Sequence, residues 1–410
     1  MTPFLPDSEK LAAVREALPA TAAGIYLNAG SVGPLPSEVQ RAMAEVAERQ
    51  ARVGRATEDD HLELLERMDE ARAAVAAAIV AAPGSIALTH SATGALNIAG
   101  WAIDWRAGDR VVTTGSEYIA ALGPLSTIGD RFGVELVQAE IGADDEATLK
   151  SLDRAITPAT RLVVISHVTW TTGTRLPIAR IAELAHDRGA LLAVDGAQAV
   201  GAIPVDVGAL AVDFYALCAQ KWLLGPEGMG ALYVAPTALE HARRTFAGEL
   251  SYASWDPAAA PRVQPDARRF EIAGYHPPSV VGMARSVAWL SMYVGLEWVH
   301  RRGATLAAVA AARLAAIPGV HLLTPTERMA TLVTFRIEGW PAAAAFEEIS
   351  RRSFAIFRTI PALDALRISV GFYTTEDELE RFAATVALVA GHTPDSIPPR
   401  RTLAILGQDT

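Results

Sequence analysis

The chain has 410 residues, of which 51% are hydrophobic, a formal net charge of −10 and a single cysteine. This length favours two domains, and an acidic balance without a basic block argues against nucleic-acid binding. One cysteine excludes an internal disulfide and a cysteine-rich metal site, so no metal is expected. The N-terminus lacks a signal-peptide pattern and no apolar run reaches the roughly 18 residues of a membrane span. We therefore expect a cytoplasmic protein without a membrane partner.

The first part of the chain is predicted to be mainly helical. Residues 1–20 form a short amphipathic N-terminal segment, and the glycines and prolines of Tyr26–Pro36 predict a loop. Apolar residues at helical spacing predict two helices over 37–53 and 60–81.

Short apolar runs then alternate with helical patterns as far as residue 235. Strand–helix alternation of this kind is typical of an α/β fold, with a mostly parallel sheet covered by helices on both faces. The predicted strands are Ile86–Thr89, Arg110–Thr113, Glu135–Gln138, Leu162–Ser166, Leu191–Asp195, Phe214–Leu217 and Ala231–Val234.

The C-terminal part has a different pattern. One long helix is predicted over Ala284–Ala316, and shorter strands and helices follow it as in a small α+β domain. Those strands are Val320–Leu323, Leu332–Arg336, Ala355–Arg358 and Leu366–Val370, and the helices are Pro341–Arg352 and one from Glu376. We expect a large domain over 21–285, a small domain over 286–395 and a loosely held tail over 396–410.

Lysine is rare in this chain. Of 36 basic residues only three are lysines, namely Lys10, Lys150 and Lys221. A guanidinium stays charged and cannot attack a carbonyl, so a lysine retained among arginines is a candidate for amine chemistry. Lys10 and Lys150 lie in polar segments, whereas Lys221 follows an apolar strand and precedes Trp222.

An acidic residue ends the predicted strand Leu191–Asp195. Ligands of open α/β sheets bind beyond the carboxyl ends of the strands, and a buried carboxylate needs a cationic partner. A protonated pyridine nitrogen is such a partner, and a helix N-cap is the alternative role for Asp195. Lys221 at a later strand end fits a Schiff base that faces this acid.

A small-residue turn follows the strand Ile86–Thr89. Free N–H groups at a helix start beside the hydroxyl of Thr93 suit a phosphate, although any capped helix looks similar. Tyr118 comes just past the next strand, where an aromatic side chain can stack on a flat cofactor ring or belong to the core.

Taken together, these signals resemble the class V aminotransferase superfamily of pyridoxal phosphate (PLP) enzymes. It includes cysteine desulfurases, cystine C–S lyases and isopenicillin N epimerase-like proteins. The similarity covers the chain from Tyr26 to about Ala390 and implies the PLP-dependent transferase fold type I, with a seven-stranded sheet. It depends on Val194–Gln198, Asp206–Gly208 with Asp213–Tyr215, Gln220–Trp222, Gly225–Gly230, Arg269–Ile272 and Leu366–Tyr373.

The resemblance implies specific cofactor contacts. Lys221 resembles the Schiff-base lysine, and Asp195 the acid that keeps the pyridine nitrogen protonated; both are catalytic. Gln198 matches the residue that hydrogen-bonds the phenolic oxygen. Ala92, through its N–H, and Thr93 match the phosphate turn.

Three cofactor positions depart from the family pattern. Tyr118 stands where desulfurases have a stacking histidine. Gln220 replaces a phosphate-binding histidine, and Cys218 replaces a serine or threonine that also reaches the phosphate. All three are kept as cofactor-binding candidates.

The resemblance also implies contacts with an amino-acid substrate. Arg367 resembles the arginine that binds the α-carboxylate; a structural ion pair with a nearby acid, Asp364 or Glu378, is the alternative. Other candidate substrate residues are Asn28, Gly30, Trp170 and Arg358. Trp170 occupies a position where desulfurases carry asparagine, and both Trp170 and Arg358 match the cystine lyases.

The segment 270–278 resembles the loop that a neighbouring subunit donates to the cofactor phosphate, which implies a homodimer. The family usually has threonine where Pro277 stands here. His276 in this loop reads as a solvated side chain more than as a catalytic one.

The predicted reaction is β-elimination from cysteine or cystine. A desulfurase needs a cysteine between the positions of Arg358 and Arg367, and this interval has none. The single thiol, Cys218, is predicted to be a buried packing residue near the phosphate. Aminotransfer or epimerisation of another amino acid is the alternative, and an inactive binding or scaffold protein is a third.

Overall fold

The computed structural model of the protein describes residues 6–256 and 258–399. The α-helices in those residues are numbered here in chain order. They are α1 (Asp7–Ala17), α2 (Ser37–Val53), α3 (Glu58–Ala78), α4 (Ala92–Trp101), α5 (Ile119–Phe132), α6 (Asp145–Ala155), α7 (Ile178–His186), α8 (Pro236–Leu239), α9 (Pro277–Ala288), α10 (Leu296–Ala315), α11 (Ala342–Ser353) and α12 (Glu376–Ala390).

A seven-stranded sheet forms the centre of the larger part of the molecule. Its strands are β1 (Ile86–Thr89), β2 (Arg110–Thr114), β3 (Glu135–Ala139), β4 (Thr160–Ser166), β5 (Leu191–Asp195), β6 (Phe214–Cys218) and β7 (Gly230–Val234). The spatial order is β1-β7-β6-β5-β4-β2-β3. Strand β7 runs antiparallel to both neighbours, and the other pairs are parallel. The α/β fold and the mostly parallel sheet predicted from the sequence are confirmed.

The strands β1, β6 and β7 are buried along their whole length. Strands covered on both faces read as continuous apolar runs rather than as alternating ones. Because β7 reverses direction between β1 and β6, the carboxyl ends of β1, β4, β5 and β6 all lie at the same edge of the sheet. The turn after β1 and the strand-end residues Ser166, Asp195 and Cys218 therefore meet there.

A four-stranded antiparallel sheet forms the second unit. Its strands are β8 (Val320–Leu322), β9 (Leu332–Ile337), β10 (Arg358–Ile360) and β11 (Ala365–Ser369), in the order β8-β9-β11-β10. The predicted strand Ala355–Arg358 is wrong as one piece. Ala355–Ile356 instead pairs in parallel with Ile25–Tyr26, and β10 begins at Arg358. A separate hairpin joins Tyr252–Asp256 to Ala259–Val263.

The predicted single helix over Ala284–Ala316 is also wrong. Helix α9 passes into a π-helical turn at Trp289–Val294, and α10 begins after Gly295. Gly295 has φ +91°, which no helix can continue through. Apolar residues on both sides of the break keep a helical spacing, so the periodicity did not reveal it. No single helix among the described residues is long and apolar enough to cross a membrane, and the α9–α10 pair reaches that length only across an 83° bend.

The described residues form two large hydrophobic cores. The larger one surrounds the seven-stranded sheet and includes Val14 and Trp289. The smaller one packs α10, α11 and α12 against the four-stranded sheet and also contains Ile25 and Leu27. The N-terminal strand thus packs into the small core, and the domain limits at residues 21, 285 and 395 stay a proposal.

Candidate active site

A cavity of about 250 Å³ opens at the carboxyl edge of the large sheet, facing β10 and β11 of the small sheet. Its lining comes from distant parts of the sequence, which the strand order brings together. The lining residues are Gly30, Ser31, Ser91, Ala92, Thr93, Tyr118, Ala120, Ser166, Val168, Trp170, Asp195, Ala197, Gln198, Cys218, Gln220, Lys221, Arg358 and Arg367.

Nearly all candidate residues from the sequence line this cavity. The exception is Asn28, which is not among its lining residues in the described chain. Asn28 forms a bridge with Ser369 at the end of β11, and its Oδ1 is buried without a hydrogen-bond partner. It therefore lies beside the cavity wall, and a contact with substrate stays a prediction.

One end of the cavity is the turn between β1 and α4. Ser91 caps the helix, because its hydroxyl accepts a hydrogen bond from the Gly94 N–H at 3.0 Å. The N–H groups of Ala92 and Thr93 form no hydrogen bond within the described chain. Gly230 lies beneath the turn, where a Cβ atom would stand 2.7 Å from the Ser91 backbone. Free N–H groups at the positive end of a helix dipole suit a phosphate.

Gln220 and Cys218 complete this end. The Oε1 atom of Gln220 is buried without a hydrogen-bond partner, and such an atom is costly unless a ligand satisfies it. A half-turn of the Gln220 amide exchanges its oxygen and nitrogen atoms, so the same side chain can present its N–H groups to a phosphate. Cys218 packs against Ala92 and Ala197, and burial raises the pKa of its thiol.

Asp195 ends β5 in the middle of the cavity. It is 7% exposed, its Oδ1 accepts from the Ala197 N–H at 2.9 Å, and it forms no salt bridge within the described chain. Burial raises the pKa of Asp195, against the opposing charge of Lys221. A buried carboxylate in this state suits a cationic partner such as a pyridinium nitrogen.

Lys221 and Gln198 lie next to this acid. The Nζ atom of Lys221 faces the cavity and has no hydrogen bond within the described chain. Gln198 connects two walls, because its Nε2 donates to the Gly30 carbonyl at 2.8 Å and its Oε1 accepts from Trp222 at 2.9 Å. One amide hydrogen of Gln198 remains available for a ligand.

Arg367, on β11, forms the opposite end. It is fully buried, and its Nη1 donates to the Trp170 carbonyl at 2.5 Å. Its Nε and Nη2 atoms are buried without a partner. Burial lowers the pKa of Arg367 to about 9, and the nearby Arg358 contributes in the same direction. A buried guanidinium with two open donors is a site for a carboxylate.

The structural alternative for Arg367 is wrong. Glu378 pairs with Arg15 at 2.9 Å, and Asp364 accepts from the Ala342 N–H at 2.9 Å. Neither acid contacts Arg367, so the guanidinium faces the cavity without a counter-ion from these residues.

Arg358 is the partner of Arg367 in the register of β10 and β11. Its guanidinium lies 5.6 Å from the Trp170 ring, and its Nη1 donates to the Ser31 hydroxyl at 3.3 Å. Tyr118 packs edge-on against Trp170, with ring centroids 5.2 Å apart. Trp170 therefore forms a shared wall between the second arginine and Tyr118.

Two buried residues at this edge were missed from the sequence as site residues. They are Glu117, which precedes Tyr118, and Ser166, which is the last residue of β4. The Glu117 carboxyl group is hydrogen-bonded to the hydroxyls of Thr114 and Ser166. The signal that the sequence offers is an acidic residue three positions past the end of the apolar strand β2 and next to Tyr118.

The segment 270–278 lies on the outer side of the phosphate turn. The Tyr275 hydroxyl donates to the Leu88 carbonyl at 2.5 Å, and its ring stacks on His90 with centroids 4.7 Å apart. His276 contacts the Ser279 hydroxyl at 2.9 Å, and Pro277 begins α9. Within the described residues, no group of three or more acidic, histidine or cysteine side chains could hold a metal ion.

The family model of class V aminotransferases matches residues 25–382. The chain belongs to the class V aminotransferase family. This family is PLP-dependent, and the phosphate turn, the open Gln220 amide, Lys221 and Asp195 fit that cofactor in the order that its phosphate, aldehyde and ring nitrogen require.

Curated relatives span nearly the same length. The isopenicillin N epimerase of Streptomyces clavuligerus is 31% identical over 90% of this chain and 95% of that protein. A probable cysteine desulfurase of Methanothermobacter thermautotrophicus is 28% identical over 92% of this chain and 98% of that protein.

Among solved structures, the cystine C–S lyase C-DES is similar throughout. Its complex with the reaction product cysteine persulfide superposes with a TM-score of 0.85 at 26% identity, over 90% of this chain and 99% of that one. A lysine-to-alanine mutant of C-DES, with glycine covalently linked to PLP, has a TM-score of 0.86 at 26% identity over 93% and 99%. The fold type I prediction is therefore confirmed.

Proposed function

We propose that this PLP enzyme is a carbon–sulfur lyase that acts on cysteine or cystine by β-elimination. The products are pyruvate, ammonia, and sulfide from cysteine or a persulfide from cystine. The observation that carries the proposal is the short connection between β10 and β11, which leaves no place for a cysteine over the substrate.

The two arginines at one end of the cavity support an amino-acid substrate with carboxylates. The open Nε and Nη2 atoms of Arg367 can hold the α-carboxylate by two parallel hydrogen bonds. Arg358 supplies a second positive charge in the same cavity. A molecule with two carboxylates, such as cystine, fits this pair better than cysteine does.

Asp195, Lys221 and Arg367 would each have a separate part in the proton transfer. Pyridoxal phosphate would supply an electron sink when bound. The buried carboxylate of Asp195 would hold the proton on the ring nitrogen, and Lys221 would act as the general base for the Cα proton. Arg367 orients the Cα–H bond through the carboxylate.

The fate of sulfur follows from the position of the only thiol. A persulfide-forming enzyme needs a cysteine that attacks the substrate sulfur. Here β10 and β11 are joined by a tight turn at Pro361–Leu363, and Cys218 is 5% exposed at the phosphate end. Sulfur then leaves as a thiolate or as the persulfide of a disulfide substrate. Water converts the unsaturated remainder to pyruvate and ammonia.

The test is a product analysis with cystine and cysteine. Pyruvate and ammonia should form in equal amounts, and Cys218→Ser should retain the activity because its thiol has no chemical role. Alanine as the main product, together with loss of activity in Cys218→Ser, would identify a desulfurase instead.

Epimerisation is the second candidate, favoured by the 31% identity to isopenicillin N epimerase over nearly the whole chain. It needs reprotonation of Cα from the face opposite Lys221, and aminotransfer needs reprotonation at the cofactor carbon. Incorporation of solvent deuterium at Cα, in an amino acid that is recovered with inverted configuration, would support the epimerase. Glutamate-dependent conversion of a keto acid would support the aminotransferase. A protein without visible cofactor absorption would be an inactive member.

We also propose a homodimer in which the segment 270–278 faces the partner's phosphate site. Tyr275 and Phe270 hold this segment next to Thr93 around an apolar cavity of about 260 Å³. Sedimentation at micromolar concentration should show a dimer; a fully active monomer would refute the arrangement.

A further inference from the structure

Glu117 is a buried acid next to the cofactor site. It is 4% exposed and lies three residues past Thr114, the last residue of β2. Its Oε1 accepts from the Thr114 hydroxyl at 2.7 Å, and its Oε2 contacts the Ser166 hydroxyl at 2.5 Å. No arginine, lysine or histidine pairs with it in the described chain. A carboxylate without a cation in such a place is costly when ionised.

Ser166 connects this acid to the cavity. It ends β4 directly opposite Asp195 in the parallel register of β4 and β5, so the two side chains point to the same face. Both line the cavity. The groups that touch Glu117 from β2 and β4 carry no charge, and Asp195 is the charged group that acts on it from the facing strand.

We propose that Glu117 is a positioning residue that holds its proton up to neutral pH and, through Ser166, determines whether a second negative charge lies beside Asp195. A protonated Glu117 donates to the Ser166 oxygen, and the serine hydrogen then turns towards the cavity. An ionised Glu117 instead accepts a hydrogen bond from the Ser166 hydroxyl, and it adds a second negative charge beside Asp195. The inference concerns the cofactor site and does not depend on which reaction follows.

The electrostatics agree with this geometry. Burial raises the pKa of Glu117 from 4.5 to about 7, the hydroxyl donors Ser166 and Thr114 oppose that rise, and the charge of Asp195 adds to it. The native protein thus binds more protons than the unfolded chain between these values. The contribution of Glu117 to stability should therefore fall as the pH rises from 4.5 through 7, and level off above.

The first test uses cofactor-free protein and its unfolding temperature from pH 5 to pH 9. The isosteric Glu117→Gln should lose the part of the slope between pH 5 and pH 7 that Glu117 contributes, whereas the matched control Glu140→Gln, whose side chain is exposed, should keep the wild-type slope. Equal slopes in wild type and Glu117→Gln would overturn the proposal. If Glu117→Gln does not fold, Thr114→Val decides, because loss of this donor should move the midpoint to higher pH; an unmoved midpoint counts against the proposal.

The second test measures the link to the cofactor. A pH titration of the visible absorption of the loaded enzyme should show a step in wild type and in Glu140→Gln that follows the ionisation of Glu117. In Glu117→Gln that step should be absent, whereas a merely structural Glu117 would leave it unchanged. Retention of the step in Glu117→Gln would refute the link.

Discussion

The two ends of the active-site cavity offer different groups to an anion. The phosphate end consists of backbone N–H groups at the start of α4, the amide of Gln220 and the buried thiol of Cys218, without a lysine or arginine among the lining residues there. The opposite end carries Arg367 and Arg358 on adjacent strands. One end therefore relies on dipoles and the other on full charges.

The proposed ligands of the two ends differ as well, because a cofactor phosphate stays bound whereas a substrate carboxylate enters and leaves in each turnover. A helix terminus and neutral donors select the shape of a phosphate and keep their geometry when it leaves. Buried guanidinium groups attract any carboxylate and are costly when empty, as the lowered pKa of Arg367 indicates. Each of the following changes tests one part of that contrast.

The largest effect should come from Lys221→Arg, in the middle of the cavity between the two ends. Turnover should be abolished because a guanidinium cannot take the place of the amine. Borohydride reduction of wild type, followed by peptide mapping, should find the cofactor on Lys221. Cofactor attached to Lys10 or Lys150 would contradict the assignment.

A smaller but still large effect is expected from Arg367→Ala. Loss of two charge-assisted hydrogen bonds, together about 3 kcal/mol, should lower kcat/KM roughly 100-fold. Arg358→Ala is the comparison: it should affect cystine more than cysteine. An amine without a carboxylate, such as cysteamine, should lose little in Arg367→Ala, and an equal loss for this amine would mean that Arg367 does not bind the carboxylate.

The smallest effect should come from Gln220→Ala at the phosphate end. The N–H groups of Ala92 and Thr93 remain, so removal of one neutral hydrogen bond, about 1 kcal/mol, should weaken cofactor binding roughly 5-fold. Gln220→Glu should weaken it much further by charge repulsion. Cofactor release measured by equilibrium dialysis distinguishes the two, and equal release from both variants would exclude Gln220 from the phosphate site.

The large sheet was predictable because most of its strands are buried apolar runs, and the ends of β1 and β5 agree with the predicted ones. Lys221 and Asp195 stood out as chemically unusual residues near strand ends, and Arg367 through the family resemblance; all three line one cavity. The small domain was harder. The break at Gly295 and the division of 355–360 depend on backbone angles and pairing partners that no periodicity encodes.

The hydrogen-bonded pair of Glu117 and Ser166 could not be derived from the sequence. The two residues are far apart in the chain and meet only because β2 and β4 are neighbours in the sheet. The same applies to Arg358 and Arg367, whose register across β10 and β11 brings two positive charges together. The family resemblance identified Arg358 and Arg367 singly but neither Glu117 nor Ser166, and the strand order decides which of these residues interact.

The segment 25–33 physically connects the two sheets. Ile25–Tyr26 pairs with Ala355–Ile356, and the Leu27 carbonyl accepts from the Ser369 N–H at 2.8 Å. A few residues later the Gly33 N–H donates to the Gln220 carbonyl at 2.7 Å, where a Cβ atom would clash with the Lys221 backbone. The short stretch 28–33 thus links the end of β11 to the loop that carries Lys221. A shift of the small sheet relative to the large one would therefore pull on the backbone beside Lys221.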